Sequence, residues 1–305
     1  MSQSTAHGLM LIAAFIWGTT FIAQSTGMET IGPLGFTAAR YVIGAVFVLP
    51  LAIWESRRIS LWVLALADRK ILWQAIGLGI LMFGGIALQQ TALLYTKVAN
   101  AAFLTALYVP TVPLLGWLLA RHPIARKIWP AILLSLIGSY LLSGSNSLLS
   151  QWGDFLVIVG ALFWGGHIYL IGIITKHVEA PFQLSVVQCV VCAILAGIPM
   201  AAFEQPAARD FLPVMNQLLY AGILSVGVAY TLQLVAQRYS NATTSAFILS
   251  LESVFAGFAG WIFLSEVLNL SALTGCAMIF VAVCIADVVP DSWYKRLRQM
   301  LTYSV

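Results

Sequence analysis

Charge is what this sequence has least of. Only 9% of its 305 residues are Asp, Glu, Lys or Arg, while 61% are hydrophobic; a soluble domain carries roughly 25% charged residues. No water-soluble fold of this size has an interior large enough to hide so much apolar surface. The deficit therefore excludes an aqueous globular protein and makes a bilayer the solvent. Residues 1–7 contain no Lys or Arg, and no small-residue cleavage site leads into a soluble chain. The first apolar run is thus expected to be a retained span rather than a cleaved signal peptide. Cysteine is also scarce, at four residues. Cys189 and Cys192 form C-x-x-C, but there is no second pair and no His nearby, so they read as small buried hydrophobes. No His, Asp, Glu or Cys cluster has metal spacing, and neither a metal nor a cofactor is expected. The net charge of +4 is too small for a nucleic-acid surface and is ascribed to asymmetry between loops.

Other classes fail for want of particular residues. A rhomboid-type protease needs a G-x-S-G serine beside a histidine in the bilayer; His167 is present and the motif is not. An intramembrane aspartyl protease needs two mid-membrane Asp, and Asp154 and Asp287 stand at span ends. An enzyme is the rival from a different class, and it lacks its machinery. A channel lacks rings of charge and a carbonyl-filter motif. The Gly79–Gly84 stretch has no strand beside it and is not a nucleotide loop.

What is present is a series of apolar runs. A helix crosses about 30 Å of hydrocarbon in about 20 residues, and ten runs of suitable length occur: 8–27, 33–54, 71–94, 98–120, 127–143, 154–174, 181–203, 212–237, 242–264 and 270–289. The connections are short apart from the stretch from Glu55 to Lys70. With the N-terminus in the cytoplasm, 12 of the 15 Lys and Arg fall on cytoplasmic segments: Arg57, Arg58, Arg69, Lys70, Arg121, Arg126, Lys127, Lys176, Arg238, Lys295, Arg296 and Arg298. The other side holds Lys97 and Arg209, and Arg40 lies within the second span. This bias predicts an even number of spans with both termini cytoplasmic.

The runs repeat. "FIWGTTF" at 15–21 aligns with "LFWGGHI" at 162–168, which puts Trp17 on Trp164, Gly18 on Gly165 and Thr20 on His167. Further along, "AAFLTALYVPTVPLLGW" (101–117) aligns with "SAFILSLESVFAGFAGW" (245–261). Two blocks at nearly equal offset imply a five-span unit used twice, with halves at 1–145 and 146–305. An odd number of spans per unit forces the second copy to enter the membrane inverted. Inverted repeats mark alternating-access carriers whose substrate sits near the midplane between the halves. The fold class is thus an all-α integral membrane protein: ten transmembrane helices as two inverted five-helix repeats around a central cavity.

The early Trp of each half, together with "SLESVFAGFAGWIFLSEVLNLSALTGCAMIF" near the end, resembles the drug/metabolite transporter superfamily, EamA type. The late stretch resembles that family's Glu-Pro … Gly-Glu signature, with Glu252 and Glu266 as its acids. Ser253 stands where the family has Pro, and His122 where it often has an acid. The resemblance spans residues 8–289 and implies export of small metabolites. In layout the chain is similar to bacterial exporters of aromatic and other neutral amino acids. A bacterial inner membrane is the setting this implies.

Polar groups in mid-membrane are costly and need a reason. Those present are Gln89, Gln90, His167, Gln188, Gln233 and Glu252, with Tyr108 and Tyr230 as amphipathic neighbours. Trp164 and His167 are three apart and share a helix face, as do Trp17 and Thr20. Such pairs either wall a cavity, with an aromatic plate and a hydrogen-bonding tip, or simply pack the bundle. The substrate-binding set expected is Trp17, Thr20, Gln89, Tyr108, Trp164, His167, Tyr230 and Gln233. Three roles are open to Glu252: holding a substrate ammonium, carrying a coupling proton, or joining helices by hydrogen bonds; the family signature favours the last. Arg40 is read as snorkelling to the headgroups, with attraction of an anion as the other role. No Lys or Arg lies in the middle of a later span, which disfavours phosphorylated cargo. The small residues Gly84-Gly85 and Ala256-x-x-x-Gly260 suit close helix approach, and Pro110, Pro113 and Pro199 suit kinks. The reading that results is a carrier for neutral or zwitterionic metabolites, amino acids foremost. Broad drug efflux is its alternative. The lipid bilayer and a small-molecule substrate are its partners, and a monomer or weak dimer its state.

Overall fold

The computed structural model describes residues 1–96, 98–143, 152–263 and 269–287. Nine of its helical runs are long and apolar enough to cross a bilayer, and Ile128–Leu142 is a shorter apolar tenth. Ten membrane segments follow. In the first half they are α1 (Gln3–Gly27), α2 (Gly32–Ser56), α4 (Arg69–Ala92), the pair α5 (Val98–Thr105) and α6 (Tyr108–Ala120), and α7 (Ile128–Ser143). In the second they are α8 (Trp152–Ile174), α9 (Pro181–Pro199), the run α10 (Met215–Leu219) to α11 (Tyr230–Gln237), the pair α12 (Ala242–Leu249) and α13 (Leu251–Phe263), and α14 (Leu270–Asp287). Helix starts follow local chemistry. Ser2, Asp68 and Asn241 side chains accept the backbone N–H of Thr5, Lys70 and Thr244, satisfying donors that the first turn leaves over. Pro33 and Pro181 occupy the first turns of α2 and α9, where a missing N–H costs nothing.

Three features depart from the sequence expectation. The stretch from Glu55 to Lys70 is not all loop, because it holds the short helix α3 (Leu61–Ala67). Leu61 and Ala65 pack inward while Trp62, Val63 and Leu66 face out, the habit of a helix lying on a bilayer surface. Two turns are too few to show in a scan for spans. The fourth and ninth segments are each interrupted, at 106–107 and at Ser250. Pro110 accounts for the first break, since its ring would collide with the carbonyl of residue 106 in a continuous helix. The eighth segment widens into a π-helix over Tyr220–Ala229, a form common at functional sites. Glu266, Lys97, Lys295, Arg296 and Arg298 lie outside the described residues.

The dominant contacts run between the halves. α2 packs on α9, α7 on α14, α4 on α8 and α9, and α1 on the eighth segment and α13. Most of these contacts come in pairs exchanged by an inverted two-fold. Gly222 is one example: a Cβ there would meet Ile43 and the Arg40 carbonyl, just as one at Gly79 would meet Val191 and the Gln188 carbonyl. α2 and α9 also cap one another. Glu55, at the end of α2, accepts the N–H groups of Phe182 and Gln183 at the start of α9 (3.4 and 2.9 Å). Glu204, in the π-turn beyond α9, accepts those of Leu34 and Gly35 at the start of α2 (2.9 and 2.6 Å). Each carboxylate thus sits at the positive end of its partner's dipole. Gly32 enters α2 at φ 73°, where a Cβ would lie 2.5 Å from the Glu204 carboxyl carbon, so glycine is required on two counts. Outside this frame Val46, Trp73, Ile198 and Phe280 are more than half exposed, as lipid-facing side chains should be.

Candidate transport cavity

Both Trp-Gly stretches end at the same place. Gly18 lets α1 press against α13, where a Cβ would lie 2.5 Å from Phe255 Cβ, 2.7 Å from the Glu252 carbonyl oxygen and 2.8 Å from Ala256 N. Gly165 lets α8 press against α6, where a Cβ would lie 2.5 Å from Thr111 Cγ2 and 3.6 Å from the Tyr108 carbonyl oxygen. Tyr108 and Glu252 are equivalent positions in the repeat, as are Thr111 and Phe255. The first helix of each half therefore crosses to the second part of the other half's interrupted helix, with no side chain of its own between the backbones. The tryptophan beside each glycine then turns into the space left at the centre.

That space is a cavity of about 40 Å³, room for water but well below the roughly 300–1,000 Å³ of small-molecule sites. Trp17, Phe21, Gln24, Arg40, Gln89, Tyr108, Trp164, His167, Ser225, Tyr230, Gln233 and Glu252 are among its lining residues. Tyr230 stands between the two tryptophans, its ring centroid 4.8 Å from Trp17 and 6.1 Å from Trp164, stacked on the latter at 17°. The indoles are pinned by their own N–H groups. Trp17 Nε1 donates to the Ser225 carbonyl (3.2 Å) and Trp164 Nε1 to Gln89 Oε1 (2.9 Å). His167 Nε2 pairs with Gln188 Oε1 at 2.9 Å, and its ring meets Tyr230 edge-on. Tyr108 and Glu252, the repeat's equivalents, interact with each other, so the pseudo-two-fold axis passes between them and through the cavity.

Buried polar atoms in native structures nearly always have partners. Of the twelve exceptions among the described residues, six belong to residues lining the cavity: Gln24 Oε1, Arg40 Nε and Nη2, Tyr108 Oη, His167 Nδ1 and Gln233 Oε1. Aromatic walls thus stand beside several polar atoms without a protein partner.

Of the residues expected at the site, Trp17, Gln89, Tyr108, Trp164, His167, Tyr230, Gln233 and Glu252 line this cavity. Thr20 does not. Its hydroxyl donates back to the Ile16 carbonyl at 2.6 Å, satisfied within α1, and the side chain is fully buried away from the lining. The snorkelling expected of Arg40 is also overturned. Arg40 lies eight residues into α2 on the face that carries Phe36, Tyr41 and Gly44, and it is 1% exposed. Packing against the eighth segment holds it inward, a neighbour that sequence position alone does not reveal. Gln24 and Phe21 line the cavity without having been expected there, although Trp17, Phe21 and Gln24 follow the i, i+4, i+7 spacing of a single face. Gln90 faces away from the cavity and donates to the Gln24 carbonyl (2.9 Å). Cys189 and Cys192 are unpaired and buried in α9. Ser253, in the place of the family's Pro, donates to the Ala102 carbonyl in α5 (2.9 Å) and ties the two interrupted helices together.

Ten membrane segments in two inverted halves around a polar-aromatic cavity define a transporter, not an enzyme. The EamA-like transporter family matches residues 4–144 and again 151–286, and the chain belongs to that family. It is 30% identical to an uncharacterized transporter of Archaeoglobus fulgidus over 92% of this chain and 84% of that one. It is 24% identical to the uncharacterized inner membrane transporter YedA of Escherichia coli, over 82% and 81%. It is 22% identical to the S-adenosylmethionine/S-adenosylhomocysteine transporter of Chlamydia muridarum, over 85% and 84%. A solved crystal structure superposes with a TM-score of 0.75 at 17% identity, covering 94% of this chain and 98% of its own; at that identity it speaks to fold alone.

Proposed function

We propose that this transporter exports small neutral or zwitterionic metabolites, amino acids including aromatic ones foremost, across a bacterial inner membrane by alternating access. Its basic helix ends and both termini face the cytoplasm in this reading, as the positive-inside bias favours. The halves at 1–145 and 146–305 rock about the Tyr108–Glu252 axis and expose the cavity to each side in turn. The observation that carries the proposal is the Trp17–Tyr230–Trp164 aromatic cluster beside unsatisfied Gln24, His167 and Gln233 atoms. Flat rings accept a planar side chain or an ammonium, and the polar atoms accept the rest. Kinship with proteins named for S-adenosylmethionine transport supports a polar organic metabolite as cargo, while YedA supports the inner membrane. Glu252 serves either as the ammonium partner, as a coupling acid, or as the acid that joins the halves through Tyr108.

The test is uptake of radiolabelled neutral amino acids, S-adenosylmethionine and a lipophilic drug cation into liposomes holding the purified protein, with and without a pH gradient. Saturable amino-acid uptake with counter-exchange is expected, reduced at least ~tenfold in Trp164→Ala, the loss of a hot-spot aromatic. Uptake of the drug cation with none of the amino acids would replace this reading with drug efflux.

A further inference from the structure

Among the cavity's lining residues, one is charged and unmatched. Arg40 is 1% exposed, lines the cavity, and leaves Nε and Nη2 without a hydrogen-bond partner. No carboxylate pairs with it among the described residues. Its guanidinium carbon lies 5.5 Å from the Phe36 ring centroid and 5.4 Å from that of Tyr41, so aromatic faces hold it in place without consuming its donors. An unpaired charge in such a setting is costly, and a structure that keeps one has a use for it.

The two halves differ at this position. The equivalent of Arg40 is Gln188, because Gly222 rests on the Arg40 carbonyl as Gly79 rests on that of Gln188. Gln188 Oε1 is satisfied by His167. The equivalent of His167 is Thr20, whose hydroxyl is turned back onto Ile16. The second half pairs its two polar groups with each other, leaving only His167 Nδ1 and Gln188 Nε2 over, while the first leaves a charged guanidinium with two unpartnered donors beside the cavity. Tyr230, bonded to Tyr41 through their hydroxyls at 3.3 Å, lies within electrostatic range of both Arg40 and Glu252. The cavity thus has a cationic pole, an aromatic middle and an acidic pole.

We propose that Arg40 is the cavity's carboxylate anchor: it binds the carboxylate of the transported solute through its free Nε and Nη2 donors, and so selects amino-acid-like zwitterions over amines of the same size. This rests on the carrier reading above and names the part of the guest that the guanidinium recognises. Planar guanidinium and planar carboxylate match donor for acceptor, which a lysine ammonium does not.

Binding to the purified full-length protein decides it, read by quenching of tryptophan fluorescence and by calorimetry. Three ligands of one shape suffice: phenylalanine, phenylalaninamide, which keeps the ammonium and loses the charged carboxylate, and 3-phenylpropionate, which keeps the carboxylate alone. Wild type should bind the amide at least ~30-fold more weakly than phenylalanine, the loss expected when a buried charge pair is broken. In Arg40→Gln that preference should vanish while amide affinity stays within about threefold, and Arg40→Lys should recover only part of it. Equal wild-type affinity for phenylalanine and its amide overturns the anchor and leaves the amino-acid reading standing, and it needs no variant that folds. Equal loss of all three ligands in Arg40→Gln also overturns it, making Arg40 a structural residue. Binding of 3-phenylpropionate that depends on Arg40, without binding of phenylalanine, keeps the anchor and sinks the amino-acid reading. Binding of none of the three by folded wild type sinks both.

Discussion

Trp17-Gly18 on α1 and Trp164-Gly165 on α8 are equivalent and meet equivalent positions, yet the residues there differ and so does the closeness of approach. A methyl placed on Gly18 would come within 2.8 Å of two backbone atoms, Glu252 O and Ala256 N, whereas one on Gly165 would meet first a threonine side chain. The same split runs through the two halves. Groups that set where helices lie are kept in both: the glycines at crossings, the interrupted fourth and ninth segments, and the reciprocal Glu55 and Glu204 caps. Groups that touch the cavity have diverged: Arg40 against Gln188, Thr20 against His167, Tyr108 against Glu252. Duplicated packing gives two halves built alike, while divergence at the centre gives a cavity with different ends.

The largest test of this comparison lies at the glycines. Gly18→Ala should lower the detergent melting temperature more than Gly165→Ala, because a backbone cannot yield as a threonine can. Overpacking costs roughly 1–3 kcal/mol, and Gly18 should lie at or above the top of that range. Equal shifts would mean that α13 moves aside as easily as Thr111 rotates. The reciprocal caps come next. Glu55→Ala and Glu204→Ala should each cost about 1 kcal/mol. The loss should be greater at Glu55, which is buried and also holds the Gln183 side chain that accepts the Leu61 N–H. A larger loss at Glu204 would break the assignment of the Glu55–Gln183 network as the stronger clasp.

The smallest effect should come from the Arg238–Glu179 ion pair, which has no counterpart at the opposite end of the repeat among the described residues. Arg238 donates to Glu179 and holds its carboxyl below the usual carboxylate range. Because the folded value is the lower one, the stabilisation is complete above the unfolded value of about 4.3 and fades as pH falls through the folded value. The pair is exposed, so Glu179→Gln should change the melting temperature at pH 7 by less than either cap variant, and the small difference should disappear on acidification. A shift that grows at low pH would show that Glu179 does something other than pair with Arg238.

Much of this was legible in the chain itself. Ten apolar runs and the 147- and 144-residue offsets already required inverted halves, because hydrocarbon thickness sets helix length and an odd repeat must invert. The Trp-Gly pairs and the costly mid-membrane polar residues pointed to most of the cavity, since a polar group in lipid has to face something polar. What only the tertiary structure decided was which side of each helix faced the centre and what stood opposite. Thr20 and His167 share a register but not a role, because a threonine hydroxyl can bond its own helix and an imidazole cannot. Arg40 lies near enough to a helix end to reach the headgroups, yet it is drawn inward by the packing of α2 against the π-helical eighth segment. Periodicity records a helix's own geometry; the environment of a buried charge depends on neighbours that lie nearly two hundred residues away along the chain.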